Sequence, residues 1–161
     1  MTRQPYLNLV RYKRWAGRGL LDVVAGAIGR MSREDTDILL RIFDHIIAVD
    51  LIFQCHLEGR PGPFKGPRFD ERPALDDMML MSREVDDWYV AYVEQAPAEA
   101  FEERLDFRFT SGKAARMSRG EIITHVCLHG TLHRGNAGLL LQKNGIDPND
   151  DRITDFLEMA A

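Results

Sequence analysis

Helical periodicity constrains the fold of this chain more than any other feature of its sequence. In four long stretches of the 161 residues, apolar side chains recur every three or four positions, the spacing that gives an α-helix one apolar face. The stretches cover residues 7–29, 32–59, 74–96 and 118–141. Because an amphipathic helix must bury its apolar face against another element, four such helices predict an all-α bundle.

Local signals mark the ends of these helices. Ser118 opens a complete S-x-x-E capping box, and Ser32 opens a variant of it with Asp in place of Glu. Gly59 ends the second helix, and a loop rich in Pro and Gly follows it. Gly17 and Gly19 weaken the first helix, so a break between them is left open as an alternative.

One short segment departs from the helical pattern. Leu105, Phe107 and Phe109 alternate with polar residues, which is the two-residue period of a β-strand. The segment is predicted to be either a short hairpin or an extended connector before the last long helix. A short helix is predicted over residues 151–159, and the length predicts one domain over residues 1–161.

Charge and composition exclude several classes of function. The 21 Lys and Arg residues against 25 Asp and Glu give a net charge of −4 without a basic block, so nucleic acid is not an expected partner. No uncharged apolar run reaches the roughly 18–20 residues of a membrane span.

Asp22 interrupts the apolar run near the N-terminus, so no signal peptide is expected and the predicted location is the cytoplasm. Cys55 and Cys127 lack C-x-x-C spacing and are predicted to be small buried side chains.

Three of the five histidines lie four residues apart in the fourth helix, at His125, His129 and His133. Side chains four apart share a helix face, with Cβ atoms about 5–6 Å from each other. Two imidazoles at that separation can direct nitrogen lone pairs at one divalent ion about 2.0–2.1 Å from each. The spacing therefore predicts a chelating pair.

His45 is a second observation, besides the spacing in the fourth helix, that favours a metal site. It lies on the core-facing stripe of the second helix, where an unpaired imidazole costs about 1–3 kcal/mol. A metal ion shared with the fourth helix would satisfy it, and so would a hydrogen bond to Tyr or Asp. The mid-helix positions of His129 and His133 favour these two as its partners, with His125 left open. His56 lies three turns from His45, about 16 Å away, and is expected at the solvated helix end.

Other polar and aromatic residues have simpler expected roles. Asp44 points about 100° away from His45 around the helix, which predicts a solvated charge or at most a hydrogen-bond acceptor behind a ligand. Arg134 is expected to anchor to a carboxylate or a helix carbonyl of another segment rather than to a substrate. Tyr12 and Trp15 are expected in the core or lining a groove. No Ser-His-Asp set, P-loop or dinucleotide-binding glycine pattern is present.

Residues 129–136, which read His-Gly-Thr-Leu-His-Arg-Gly-Asn, resemble the H-x-x-x-H-R-G-Q signature on the last long helix of the DinB/YfiT family of metal-dependent proteins. Residues 11–16 resemble the start of the family's first helix, residues 43–46 resemble the segment around its second-helix histidine, and residues 139–148 resemble its usual close. Asn136 replaces the usual Gln, and Lys13 stands where Asn is common.

The resemblance implies an up-and-down four-helix bundle, often a homodimer, with a short insert before the last long helix. It implies a divalent ion, commonly nickel or zinc, bound by His45, His129 and His133. Three histidines leave a coordination place open for a water, a thiolate or a carbonyl oxygen. Because some members of the family that the chain resembles are thiol-dependent transferases, the resemblance implies a metal-dependent hydrolase or thiol-dependent S-transferase acting on a small molecule such as a thiol. The alternatives are a non-catalytic stress-response or interaction bundle with a structural metal, and a metal-free core. Residues 78–81, a Met-rich run, are expected either in the dimer face or in the interior.

Overall fold

A computed structural model describes residues 2–160 of the chain. The described part is mostly helical, with a single two-stranded sheet, so the predicted all-α bundle is confirmed. The helices are α1 (Gln4–Ala27), α2 (Arg33–Glu58), α3 (Leu75–Gln95), α4 (Arg119–Lys143) and α5 (Ile153–Met159), and the strands are β1 (Arg104–Arg108) and β2 (Ala114–Ser118). Single 3-10 turns at Ile28–Arg30 and Ala98–Glu102 follow α1 and α3.

The helix ends follow the local signals. The hydroxyl of Ser118 accepts the Glu121 N–H while the Glu121 carboxylate accepts the Ser118 N–H, which completes the capping box of α4. Gly59 ends α2 with φ +67°, a conformation that glycine adopts without strain. Helix α1 runs unbroken through Gly17 and Gly19, and Gly19 admits a close neighbour. A Cβ at Gly19 would lie 2.0 Å from Nδ2 of Asn149.

Four long helices form the bundle, and neighbours in sequence are not always neighbours in space. Helices α1 and α2 each pack against both α3 and α4. Asp35 at the start of α2 binds Lys143 at the end of α4, 2.8 Å from carboxylate to ammonium, so these two helices are antiparallel. Helices α2 and α3 run parallel, which the long connection over residues 59–74 permits. The strictly alternating up-and-down order that the resemblance implied therefore does not extend to this pair.

Two apolar clusters fill the core on either side of a buried charged layer. The cluster towards the end of α2 contains Phe53, and the one towards its start contains Leu39. Between the two clusters lie three side chains that are at most 3% exposed: Lys13, Asp50 and Asp86. The Met-rich run belongs to the second cluster, with Met78 fully buried and only Leu80 strongly exposed.

The segment before α4 is a hairpin, with β1 antiparallel to β2 and Leu105 opposite Met117. The hairpin covers the end of α2, where the Phe107 ring lies 4.4 Å from the His56 ring and 5.8 Å from that of Phe53. The expectation that His56 is solvated is therefore wrong. The sequence pattern of α2 alone did not show that another element folds back over its end.

Within the described residues, none of the helices has both the length and the apolar character that a membrane crossing requires.

Candidate metal centre

The structure brings His45, His129 and His133 together. Their potential ligand atoms all lie within 4.8 Å of one another. The ring centroids are 4.8 Å apart for His45 and His129, 4.7 Å for His45 and His133, and 4.5 Å for His129 and His133. The antiparallel packing of α2 on α4 places the middle of one helix beside the middle of the other, so three imidazoles converge between them.

The separation of the ring nitrogens fits a shared divalent ion. Nε2 of His45 lies 3.0 Å from Nε2 of His129. Two nitrogens that are each about 2.0–2.1 Å from one ion are about 3.0–3.4 Å apart at ordinary coordination angles. The two rings are thus at the spacing that a common ion needs.

The orientation of His45 is fixed from outside the bundle. Its Nδ1 lies 2.8 Å from the carbonyl oxygen of Pro67, in the loop between α2 and α3. A carbonyl can only accept a hydrogen bond, so Nδ1 carries the proton and Nε2 presents a lone pair towards His129 and His133. A hydrogen bond of this kind to the non-ligating nitrogen is the usual companion of a histidine metal ligand.

His129 is held in its neutral form. Burial, together with the nearby His133 and His45 rings, lowers its pKa to about 3. Its Nδ1 is buried and finds no hydrogen-bond partner among residues 2–160. Neutral imidazole is the form that binds a metal ion, so His129 is already in the required state at neutral pH.

His133 lies nearer the surface and is also kept neutral. Burial and then the charges of His45 and Arg68 lower its pKa below the ordinary value. The side-chain amide of Asn136 lies beside its ring, with Nδ2 3.4 Å from Nδ1. His45, His129 and His133 are all only partly buried.

His125 lies one turn before the cluster and does not join it. Its ring packs 4.8 Å from the Phe53 ring and 5.7 Å from the His129 ring, and burial lowers its pKa. The choice that the spacing left open therefore falls on His129 and His133. No fourth His, Cys, Asp or Glu of the described chain joins the three, so a bound ion would keep coordination places for an outside molecule.

Arg134 anchors the back of α4, the helix that carries His129 and His133, as expected. Its side chain is 4% exposed and binds the Asp151 carboxylate through Nε at 2.7 Å. Asp151 also accepts a hydrogen bond from the Tyr12 hydroxyl. The segment before α5 thus ties α4 to α1, and Tyr12 packs with Trp15 and Phe156 as the predicted core role requires.

Some residues that surround the candidate metal centre could not be found from the sequence pattern. The carbonyl of Pro67 leaves no signal, since any residue carries one. Asp44 was expected to be either a solvated charge or a hydrogen-bond acceptor behind a ligand, and it is 4% exposed and accepts the Phe69 N–H at 3.1 Å. The solvated alternative is wrong because the loop returns over α2. Lys13 and Asp50, which form a buried ion pair, could have been noticed in the sequence, because each is a charged residue on an otherwise apolar helix face.

Comparisons with known proteins give a result for the family alone. The family model described as the DinB family matches residues 1–161. Neither the curated proteins nor the solved structures give a significant match. The match covers the whole chain, and the helical bundle agrees with it. The chain belongs to the DinB family.

Proposed function

We propose that this protein binds a divalent metal ion through His45, His129 and His133 and is a metal-dependent enzyme. The observation that carries the proposal is the convergence of three imidazoles from two antiparallel helices, with two ring nitrogens 3.0 Å apart. Neutral nitrogen ligands suit nickel or zinc.

An ion with three protein ligands would supply Lewis acidity to a water, a carbonyl oxygen or a thiolate in its open place. The chain's own contribution is to lower the pKa of His129 and His133 and to orient His45 through the Pro67 carbonyl. The proposed reaction is therefore hydrolysis or thiol-dependent S-transfer on a small molecule. A structural metal would need a closed site with a fourth protein ligand, and the described residues bring only three together. The proposal includes a cytoplasmic location, where two free buried cysteines are ordinary.

The metal content of protein purified without an affinity tag tests the ligand set. Wild type is compared with His133→Ala and with His125→Ala, a matched control one helical turn away from the cluster. We expect near-stoichiometric metal in wild type and His125→Ala and clearly less metal in His133→Ala, which lacks one of the three ligands. Equal metal in wild type and His133→Ala would rule out the three-histidine site.

Activity is tested separately on the metal-loaded protein. A panel of thiols with electrophiles is run beside simple esters and amides, with His133→Ala as the blank. Turnover that follows the metal supports the enzyme, and turnover equal in both proteins contradicts it.

We also propose that the protein is a homodimer. Helix α4 leaves Leu128, Leu132 and Leu139 from 62% to 70% exposed, beside the partly exposed Ile38 of α2. Ile38, Ile42, Leu139 and Leu140 line one apolar groove. A second copy of the chain is the proposed occupant, because α4 carries this exposed leucine stripe in addition to the apolar side chains that it buries in its own bundle.

A further inference from the structure

The loop between α2 and α3 forms hydrogen bonds with two adjacent residues of α2. The Pro67 carbonyl accepts from Nδ1 of His45 at 2.8 Å, and the Phe69 N–H donates to Oδ1 of Asp44 at 3.1 Å. The two contacts flank Arg68 on the loop side. One orients a candidate metal ligand, and the other holds the peptide segment that does the orienting.

Asp44 is an unusual residue to find in this place. Its side chain is 4% exposed, and none of the ion pairs in the described part of the chain includes it. A buried carboxylate without a cation is costly unless its hydrogen bonds compensate. The hydrogen bond that it does accept is from a backbone N–H of the loop, and a charged acceptor makes that bond about twice as strong as a neutral one.

The other polar contacts of the loop are exposed and weak by comparison. Lys65 and Asp70 pair at 2.8 Å with side chains 82% and 65% exposed, and exposed pairs contribute little. Arg68 donates to the Arg41 carbonyl at 2.8 Å on the surface. Asp44 is therefore the buried polar anchor of the segment that carries the Pro67 carbonyl.

We propose that Asp44 is a positioning residue for the metal centre. By holding the Phe69 N–H, it keeps the Pro67 carbonyl against Nδ1 of His45, which fixes the ring's tautomer and leaves Nε2 free to bind. The metal readout of this inference rests on the proposed function, whereas the tautomer of His45 does not.

The test compares Asp44→Ala, which removes the acceptor, with Asp44→Asn, whose amide oxygen keeps it. Asp70→Ala is the matched control, an exposed acid in the same loop. Long-range proton–nitrogen NMR of the metal-free protein reports which nitrogen of His45 is protonated, and competition titration with Zn²⁺ reports affinity. We expect wild type, Asp44→Asn and Asp70→Ala to hold the proton on Nδ1 and to bind alike. Asp44→Ala is expected to show mixed tautomers and to bind about 10–100-fold more weakly.

A second pair of variants reaches the same hydrogen bond from the loop. Phe69→Pro removes the N–H donor, whereas Phe69→Ala keeps it and removes only the ring. If Asp44→Ala does not fold, this pair carries the test, with the Pro variant expected to lose the single tautomer and the Ala variant to keep it.

The inference is overturned if Asp44→Ala keeps both the wild-type tautomer and the wild-type affinity, or if Asp44→Asn loses them as fully as Asp44→Ala. If wild type binds no Zn²⁺ but the tautomers differ as expected, the positioning role stands and the proposed function fails.

Discussion

At the scale of single residues, burial lowers the pKa of His129 and His133 and so favours their neutral form. The pKa of His129, lowered to about 3, means that the folded protein disfavours the protonated ring. The unfolded chain binds that proton near the ordinary value of about 6.5. The contribution of neutral His129 to stability is therefore complete above pH 6.5 and is lost as the pH falls towards 3.

This predicts a pH dependence that one substitution removes. Between pH 6.5 and pH 4, the free energy of unfolding of the metal-free wild type is expected to fall more steeply than that of His129→Gln. The reason is that wild type takes up as much as about one more proton on unfolding than the variant does. Urea unfolding midpoints across that range provide the measurement. Parallel pH profiles for the two proteins would show that His129 is not held neutral by the fold.

The residues of the site were predictable only where their signal lies in a helix. The four-residue spacing of His129 and His133, and the imidazole of His45 on an apolar face, are periodic features, and they indicated the three side chains that the structure brings together. The Pro67 carbonyl and the Phe69 N–H reach His45 and Asp44 through a loop whose path depends on tertiary contacts. No periodicity encodes that path, so these two partners could not be inferred from the sequence.

At the scale of elements, a charged layer ties three helices together at the centre of the bundle. Lys13 of α1 lies 2.6 Å from an Asp50 oxygen in α2 and 2.5 Å from an Asp86 oxygen in α3. Burial alone would lower the pKa of Lys13, but the two carboxylates outweigh it and raise the pKa above its ordinary value. The ammonium therefore stays charged, and the layer fixes how the three helices align.

Replacing Lys13 with Met should be strongly destabilising, because it leaves Asp50 and Asp86 buried together without a cation. A loss of about 3–5 kcal/mol in the free energy of unfolding is expected. Lys65→Met removes an exposed partner of Asp70 and serves as the control, with no resolvable change. Denaturant unfolding measures both. A Lys13→Met protein as stable as its control would contradict this account of the layer.

The boundaries of elements were largely predictable, since caps and glycine stops act within a few residues. Ser32 and Ser118 cap α2 and α4 as expected, and Gly59 ends α2. The continuity of α1 was not decided by the sequence, because the glycine at position 19 is explained only by Asn149, which packs against it from far along the chain.

At the scale of the whole molecule, the bundle class followed from four amphipathic helices, but the helix directions did not. Helix periodicity says which face is apolar and nothing about which neighbour covers it. The parallel course of α2 and α3 depends on the long loop between them, the same loop that carries Pro67 to His45. The same loop therefore sets the direction of α3 and contributes to the candidate site.

The exposed face of α4 makes the proposed dimer testable. Leu139→Glu places a charge in the apolar groove and should convert a dimer to a monomer in analytical ultracentrifugation. Leu80→Glu, on an exposed α3 position, is the matched control and should remain dimeric. A monomeric wild type, or a dimer that tolerates Leu139→Glu, would show that this face of α4 is not a dimer interface.

The most direct test of the whole account is the position of the metal. A crystal of the zinc-loaded protein, measured at the zinc absorption edge, should show one strong anomalous peak bonded to His45, His129 and His133 at about 2.0–2.1 Å. The density should also show at least one non-protein ligand. An ion bound elsewhere, or three histidines that stay empty in saturating zinc, would contradict the central claim.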